Sequence, residues 1–404
     1  MGGDSAAIES TTPSYPSVDW TCLDEEYLKK RHRTYQSALF DSTHWDDWKP
    51  RDTDVIVATA YKSGTTWMQQ IINSLVFKGE DPPGNQAISD ISPWVDMRVP
   101  PREVKMPSVE AQTHRRVLKC HLPSDAQPIY PEVKYIYVGR DGRDAFMSLA
   151  NHWKSGNDNF YAGINGAPGR VGPPMPRWTD FPGLDESKWF DLWLTKGWST
   201  LPWEEDGWPF WSLFTNMESW WHLRGLPNVL FVHFNNLKQD LPGEMRRIAQ
   251  FLQIPIDEAI FDKQVERCTF EWMKKNGDKM APGGGAFWGK DAKEGGKVFI
   301  NKGTNGRWRD VLTPEQVAAY EAKAAALPES CGHWLATGEF LPGDIGAKLV
   351  EGKYKAPAEG GAKDGSSKLF KPLAGPIALT WPFDVCASCN GRPTSSKSSK
   401  SSSK

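Results

Sequence analysis

The stretch Ala58–Ile71, ATAYKSGTTWMQQI, joins a short apolar run to a helical pattern through a lysine, a serine, a glycine and two threonines. A strand that turns tightly into a helix points unpaired backbone N–H groups and the positive end of the helix dipole into the turn, which makes it an anion site. Gly64 lets backbone approach the ligand, Lys62 adds a mobile charge, and Ser63, Thr65 and Thr66 add hydroxyl donors. In the triphosphatase loop GxxxxGK[ST] the lysine follows the second glycine, whereas here it precedes the only one, which disfavours a triphosphatase. Further on, VLKCHLPSD sets Lys119 and His121 two apart at the exit of a predicted strand, so both side chains point into one cleft. A histidine there suits general-base work, because a ring with an unperturbed pKa of about 6.5 accepts a proton from a hydroxyl near neutrality. His114 has no such placement.

These groups need a scaffold, and the sequence from Asp54 to about Leu341 offers one. Short β-branched runs alternate with longer segments of helical period, the pattern of an α/β fold: a P-loop-like central parallel sheet flanked by helices in a single domain. The predicted strands are Asp54–Thr59, Arg116–Cys120, Val133–Val138 and Asn228–His233, each apolar enough for burial on both faces. After the first of them Trp67, Ile71 and Leu75, with Met68, Ile72 and Val76, form one helical stripe. Met245, Ile248 and Leu252 face inward on another helix, read in PGEMRRIAQFLQI. Between Ser155 and Phe210 the period is lost and Gly, Pro and Trp dominate, which reads as an ordered lid or pocket wall.

The order KSGTTW resembles the phosphosulfate loop of sulfotransferases whose donor is 3′-phosphoadenosine 5′-phosphosulfate (PAPS), of the cytosolic type. Four further segments follow in that family's chain order and together span most of residues 54–310. VLKCHLPSD looks like the family's KTHLP strand end. In YIYVGRDGRDAFMSLANHW, Arg140 and Ser148 occupy the positions that grip the donor's 3′-phosphate, while Arg143 and Asp144 read as surface charges. NVLFVHFNNLKQDL resembles a strand followed by Tyr-Glu-Asp-Met, with Phe234 at the adenine-contacting aromatic and Asn235 and Asn236 at the acidic pair. RCTFEWMKKN carries Cys268, Thr269 and Phe270 over to a segment lining the nucleotide. VFINKGTNGRWRD is similar to the closing loop Arg-Lys-Gly-x-x-Gly-x-Trp, with Asn301 in the arginine's place, Lys302 and Gly303 kept, and Gly306 and Trp308 completing it.

The resemblance implies sulfuryl transfer from PAPS to a hydroxyl or amine of a small-molecule acceptor, with release of adenosine 3′,5′-bisphosphate. It implies His121 as base, Lys62 at the bridging and leaving oxygens, and Lys119 with loop N–H groups at the sulfonyl oxygens. Donor contacts would come from Lys62, Ser63, Gly64, Thr65, Thr66, Trp67, Arg140, Ser148, Phe234, Cys268, Phe270, Asn301, Lys302 and Gly303. No metal is implied, since cations and N–H dipoles do what magnesium does in kinases. The substitution at Asn301 leaves Lys302 and Arg140 as the cationic clamp. Two other readings stay open: a P-loop nucleotide kinase, or a nucleotide-binding scaffold without chemistry. The tryptophans from Trp178 to Trp221 either wall an acceptor or simply pack the long segment.

Composition sets bounds on partners. With 48 Lys plus Arg against 50 Asp plus Glu in 404 residues, anion binding must come from local placement, and a general nucleic-acid binder is disfavoured. No apolar run approaches the ~20 residues of a membrane span, and MGGDSAAIES lacks the signature of a secretory leader, so the expectation is a cytoplasmic protein without a membrane partner. Ala6 stands where myristoylation needs Ser or Thr. Six scattered cysteines read as reduced thiols, and Cys386 and Cys389 form a lone CxxC without further zinc ligands. Residues 1–45 read as an N-terminal segment, 46–341 as the catalytic domain with 155–210 as its insertion, and 342–404 as a low-complexity polar tail. The family's dimerisation motif is not found, so the sequence leaves the oligomeric state open.

Overall fold

The four predicted strands all form: β1 (Val55–Ala58), β2 (Val117–Cys120), β3 (Lys134–Gly139) and β4 (Val229–His233). The computed structural model describes residues 18–344 and 346, apart from 329. Most of the expected tail, including Cys386 and Cys389, lies outside the described residues, as do the first seventeen. All pairing is parallel in the order β2-β1-β3-β4, with Val55 opposite both Val117 and Lys134, and Tyr135 opposite Val229.

Alternation along the strands sorts the core into two faces. Val55, Val57, Val117, Ile136, Val138, Leu230 and Val232 meet Met68, Ile71, Ile72 and Leu75 of the helix Thr65–Val76, and Met245 and Ile248 of the helix Leu241–Phe251. Ile56, Ala58, Leu118, Tyr135, Tyr137 and Phe231 face the other way, toward the tryptophan-rich half. The result is one α/β domain. Burial on both faces explains why the strands read as continuous apolar runs. At the opposite end of the strands from the site, Asp54 and Arg116 fall just before β1 and β2 as a fully buried pair, with Nε to Oδ1 at 2.7 Å.

The segment 155–210 departs from the expected irregular stretch. It holds two helices, Asp158–Asn165 and Glu186–Thr195, too short and too separated by Gly and Pro for their period to show in sequence. Its tryptophans are structural in the first place. Trp189 and Trp193 are fully buried, as is Trp153 just before the segment, and their rings pack at a tilt, Trp153 to Trp189 at 4.8 Å and Phe146 to Trp193 at 5.3 Å.

The central position of β1, with β2 on one side and β3 on the other, makes a topological switch point. Loops leaving the carboxyl ends of β1 and β2 in one direction, and of β3 in the other, open a crevice there, where open α/β sheets bind ligands. Lys62 follows β1, His121 follows β2, Arg140 follows β3 and Phe234 follows β4.

Candidate active site

The loop after β1 closes on Gly64, which caps the helix Thr65–Val76 in the left-handed region at φ 105°. A Cβ added there would lie 3.0 Å from Phe234 Cδ2, so glycine answers both the backbone sign and the close approach of the ring. Two of the loop hydroxyls serve the turn itself. Ser63 Oγ donates to the Tyr61 carbonyl at 3.0 Å, and Thr65 Oγ1 pairs with Thr59 Oγ1 at 2.8 Å. What the turn presents outward is the helix N-terminus and the half-buried Lys62 and Thr66. Behind it, Trp211 Nε1 donates to the Ala60 carbonyl at 2.8 Å and Trp193 Nε1 to the Tyr61 hydroxyl at 2.6 Å.

His121 is 7% exposed and held by its Nδ1, 2.9 Å from Thr59 Oγ1 and 3.1 Å from the Thr59 carbonyl. Trp94 packs edge-on against its ring at 4.6 Å and Trp211 lies at 5.9 Å. Burial, then the Lys119 ammonium, hold its pKa well below 6.5, so the ring is neutral at pH 7. Lys119 Nζ sits 4.5 Å from the Trp94 ring and Lys62 Nζ 4.8 Å from the Phe299 ring. Burial, then Lys119 and Arg140, lower Lys62 to about 7; the residue as a whole is half-buried, with its ammonium over the Phe299 ring. Burial lowers Lys119 to about 8 against the opposing pull of Asp96. Two ammonium groups poised this far down favour an anion that restores their charge.

Arg140 is buried, its guanidinium stacked 4.2 Å over the Phe234 ring. Nη1 donates to the Lys62 carbonyl at 3.0 Å, Nη2 to the Thr304 carbonyl at 3.0 Å, and Nε and Nη2 to Asn305 Oδ1 at 3.1 and 2.8 Å. Burial lowers its pKa to about 10, which leaves it cationic at neutrality. Ser148 is half-buried on the helix Gly142–Ser155. Phe234 also meets Trp67 edge-on at 5.3 Å, and Trp67 Nε1 is pinned to the Cys268 carbonyl at 2.7 Å. The Gly303 backbone, at φ 62°, rests on Phe270, where an added Cβ would lie 2.7 Å from the ring.

Some expected site residues sit differently from the sequence reading. The Cys268 thiol points into the core and donates to the Gln70 carbonyl at 3.8 Å, so its contribution runs through the carbonyl that anchors Trp67. Lys302 is exposed and Asn301 half-buried, so the closing loop brings no charged side chain of its own against Arg140. Arg143 and Asp144 are not surface charges. Arg143 is buried between Trp308 at 4.0 Å and Tyr320 at 4.9 Å and pairs with Asp141, while Asp144 Oδ1 accepts from the Gly306 N–H at 2.7 Å. They dock the closing loop onto the helix Gly142–Ser155.

Two residues were overlooked in the sequence. Asn305 fills a variable position of the loop pattern, yet its amide bridges Arg140 and, through Nδ2 at 2.6 Å, Asn235 Oδ1. His152 stands one turn beyond Ser148, an i,i+4 spacing that puts both on one helix face. Its ring lies 4.9 Å from Trp288 and 6.0 Å from Phe299, the ring that also meets Lys62. Burial and then Lys62 hold its pKa well below 6.5. Among the described residues no group of three or more His, Cys, Asp or Glu is placed to hold a metal ion, and no helix is long and apolar enough to cross a membrane.

The sequence and the fold are similar to those of known proteins. A profile of the sulfotransferase domain matches residues 52–326. A glycolipid sulfotransferase of Mycobacterium bovis (strain BCG / Pasteur 1173P2) is 29% identical over 322 residues, covering 74% of this chain and 92% of its own. Sulfotransferase 1C2 of Oryctolagus cuniculus is 25% identical over 292 residues, 70% of this chain and 85% of its own. The fold is like that of mouse sulfotransferase SULT7A1, solved with PAP, at a TM-score of 0.52 and 20% identity over 74% of this chain and 98% of that one. It is also like retinol dehydratase, solved with retinol and PAP, at 0.51 and 21% over 70% of this chain and 83% of that one. With the family profile spanning the sheet, the loop after β1, His121 and Arg140, the chain belongs to the sulfotransferase domain family.

Proposed function

We propose that the protein transfers the sulfuryl group of PAPS to a hydroxyl, or an amine, of a small-molecule acceptor and releases adenosine 3′,5′-bisphosphate. The observation that carries this is the convergence, at the switch point of the sheet, of a neutral His121 with the Lys62 and Lys119 ammonium groups. Both solved structures named above are complexes with PAP, which supports a bisphosphate nucleotide as the product here.

The donor supplies an electrophilic sulfur and a phosphate leaving group; the chain's residues supply the rest. His121 takes the acceptor proton at Nε2, since Nδ1 faces the Thr59 carbonyl. As the acceptor oxygen bonds to sulfur, the bond from sulfur to the phosphate oxygen breaks, and negative charge moves to that oxygen. Lys62 meets that charge, while Lys119 and the N–H groups at Thr65 and Thr66 hold the sulfonyl oxygens. Arg140, with Ser148, takes the 3′-phosphate, which replaces the neutral oxygens of Thr304 and Asn305 with a dianion. Phe234, Trp67 and Phe270 enclose the base, with Gly303 closing over Phe270. Trp94 and Trp211 beside His121, with His152 and Phe299 beyond Lys62, wall the acceptor. Cys22, Cys120 and Cys268 carry free thiols, which suits a reducing compartment, and the cytoplasm is the location we assign.

Calorimetric titration with adenosine 3′,5′-bisphosphate, beside adenosine 5′-phosphate and ATP with magnesium, tests the reading. Tight binding of the bisphosphate alone is the expected result. Preference for ATP with magnesium would make the protein a kinase instead.

A further inference from the structure

Lys62 is one of three non-glycine residues with positive φ, at 48°, among the described residues. A side chain with a Cβ takes that left-handed conformation only where the surroundings impose it. The turn is held from two sides. Trp211 and Trp193 secure Ala60 and Tyr61 before it, and the Lys62 carbonyl itself accepts from Arg140 Nη1 at 3.0 Å.

That guanidinium has little freedom. Phe234 stacks against its face at 4.2 Å, and its other edge is fixed by the Thr304 carbonyl and by Asn305, which Asn235 orients in turn. Every one of these hydrogen-bond acceptors is a neutral oxygen, and the Asp144 and Asp141 carboxylates act on the cation only from beyond hydrogen-bond reach, so its donors stay open to an incoming anion. The two edges also differ in what they face. The Nη2 and Nε edge faces the closing loop, and the Nη1 corner faces the turn that carries Lys62.

We propose that Arg140 is a positioning residue for Lys62 as well as a partner of the 3′-phosphate, because its Nη1 bond to the Lys62 carbonyl fixes the left-handed turn that aims the lysine at the transferring group. This rests on the sulfotransferase reading, in which Arg140 meets the 3′ end of the donor. One rigid planar group then connects recognition at the 3′ end to alignment at the 5′ end. A lysine at position 140 keeps the charge but, as a point donor, cannot hold both edges. A merely electrostatic or merely phosphate-binding Arg140 would leave the turn unchanged when replaced by lysine.

The test uses the full chain and the variants Arg140→Lys and Arg140→Ala, with thermal unfolding recorded for each. Calorimetry with adenosine 5′-phosphate, which has no 3′-phosphate, reads the far end of the site. Acylation footprinting of Lys62, referenced to the exposed Lys302, reads the turn without any nucleotide. Loss of a hydrogen bond from a charged donor predicts about tenfold weaker 5′-phosphate binding in Arg140→Lys, and several-fold faster labelling of Lys62. Arg140→Lys that matches the wild type in Lys62 labelling overturns the proposal, whether or not bisphosphate affinity falls. If the wild type does not prefer the bisphosphate over the 5′-phosphate, the donor reading fails instead, and the labelling still decides whether Arg140 holds the turn.

Discussion

His121 Nδ1 lies 3.1 Å from the carbonyl oxygen of Thr59, which can only accept, so the neutral ring carries its proton on Nδ1 and leaves the Nε2 lone pair free. The Thr59 hydroxyl, 2.9 Å from the same nitrogen and 2.8 Å from the Thr65 hydroxyl, ties that tautomer to the first turn of the loop helix. One residue of β1's exit thus orients the base on β2's exit. His121→Ala is expected to lower turnover by at least ~100-fold, the usual contribution of a general base, with donor affinity unchanged. Thr59→Val keeps the carbonyl but removes the hydroxyl's bonds to His121 and Thr65; the one to His121 is worth about 1 kcal/mol, so kcat should fall roughly fivefold with little change in KM. Steady-state kinetics on both variants check this, and retained turnover in His121→Ala would move the base to another residue.

Binding of the donor should take up protons. In the ligand-free protein Lys62 is lowered to about 7 and Lys119 to about 8, and a bound anion raises both. Each lysine therefore gains a proton on binding when the pH lies above its free value. Affinity for adenosine 3′,5′-bisphosphate should fall as pH rises from 7 to 9, and calorimetry in buffers of different ionisation enthalpy should show net uptake. Proton release over that window would mean the lysines do not meet the anion.

The loop depends on the tryptophan-rich segment in a way that substitution can read. Trp193 and Tyr61 are both buried, and the Nε1 to hydroxyl bond at 2.6 Å joins the helix Glu186–Thr195 to the turn before Lys62. Trp193→Phe keeps most of the volume but strands the tyrosine hydroxyl, at a cost of about 1–3 kcal/mol. A Tm lowered by a few degrees and weaker bisphosphate binding are expected together. An unchanged Tm would show that the hydroxyl finds another partner.

The sheet and the loop were legible in the sequence because local rules write them. Strands buried on both faces must be continuously apolar, and a turn needing positive φ and a close ring calls for Gly64. What the sequence hid depends on distant partners. Arg143 and Asp144 look like surface charges until Trp308 and the Gly306 N–H of the closing loop, and Tyr320 of the helix Pro314–Ala325, are brought over them from more than 150 residues away. Cys268 aligns with a nucleotide contact, yet the chain turns its thiol inward and offers its carbonyl to Trp67. Asn305 sits where the family pattern places no constraint, so nothing local marked it.

The closing loop carries the last prediction. Its one expected cation, Lys302, is exposed, and Asn301 is half-buried with its carbonyl held by the Lys274 ammonium. That bond is to backbone, so a longer side chain at 301 leaves the anchor in place. Asn301→Arg would add a guanidinium beside a site in which Arg140 is the buried cation, and a charge-assisted bond to phosphate is about twice as strong as a neutral one. Binding of adenosine 3′,5′-bisphosphate is expected to tighten by about tenfold, while adenosine 5′-phosphate binding stays the same. The gain should shrink at high salt, because the loop is open to solvent. Equal tightening of both nucleotides would mean the new charge acts as a general attractor, and no tightening would mean Arg140 already satisfies the 3′-phosphate alone.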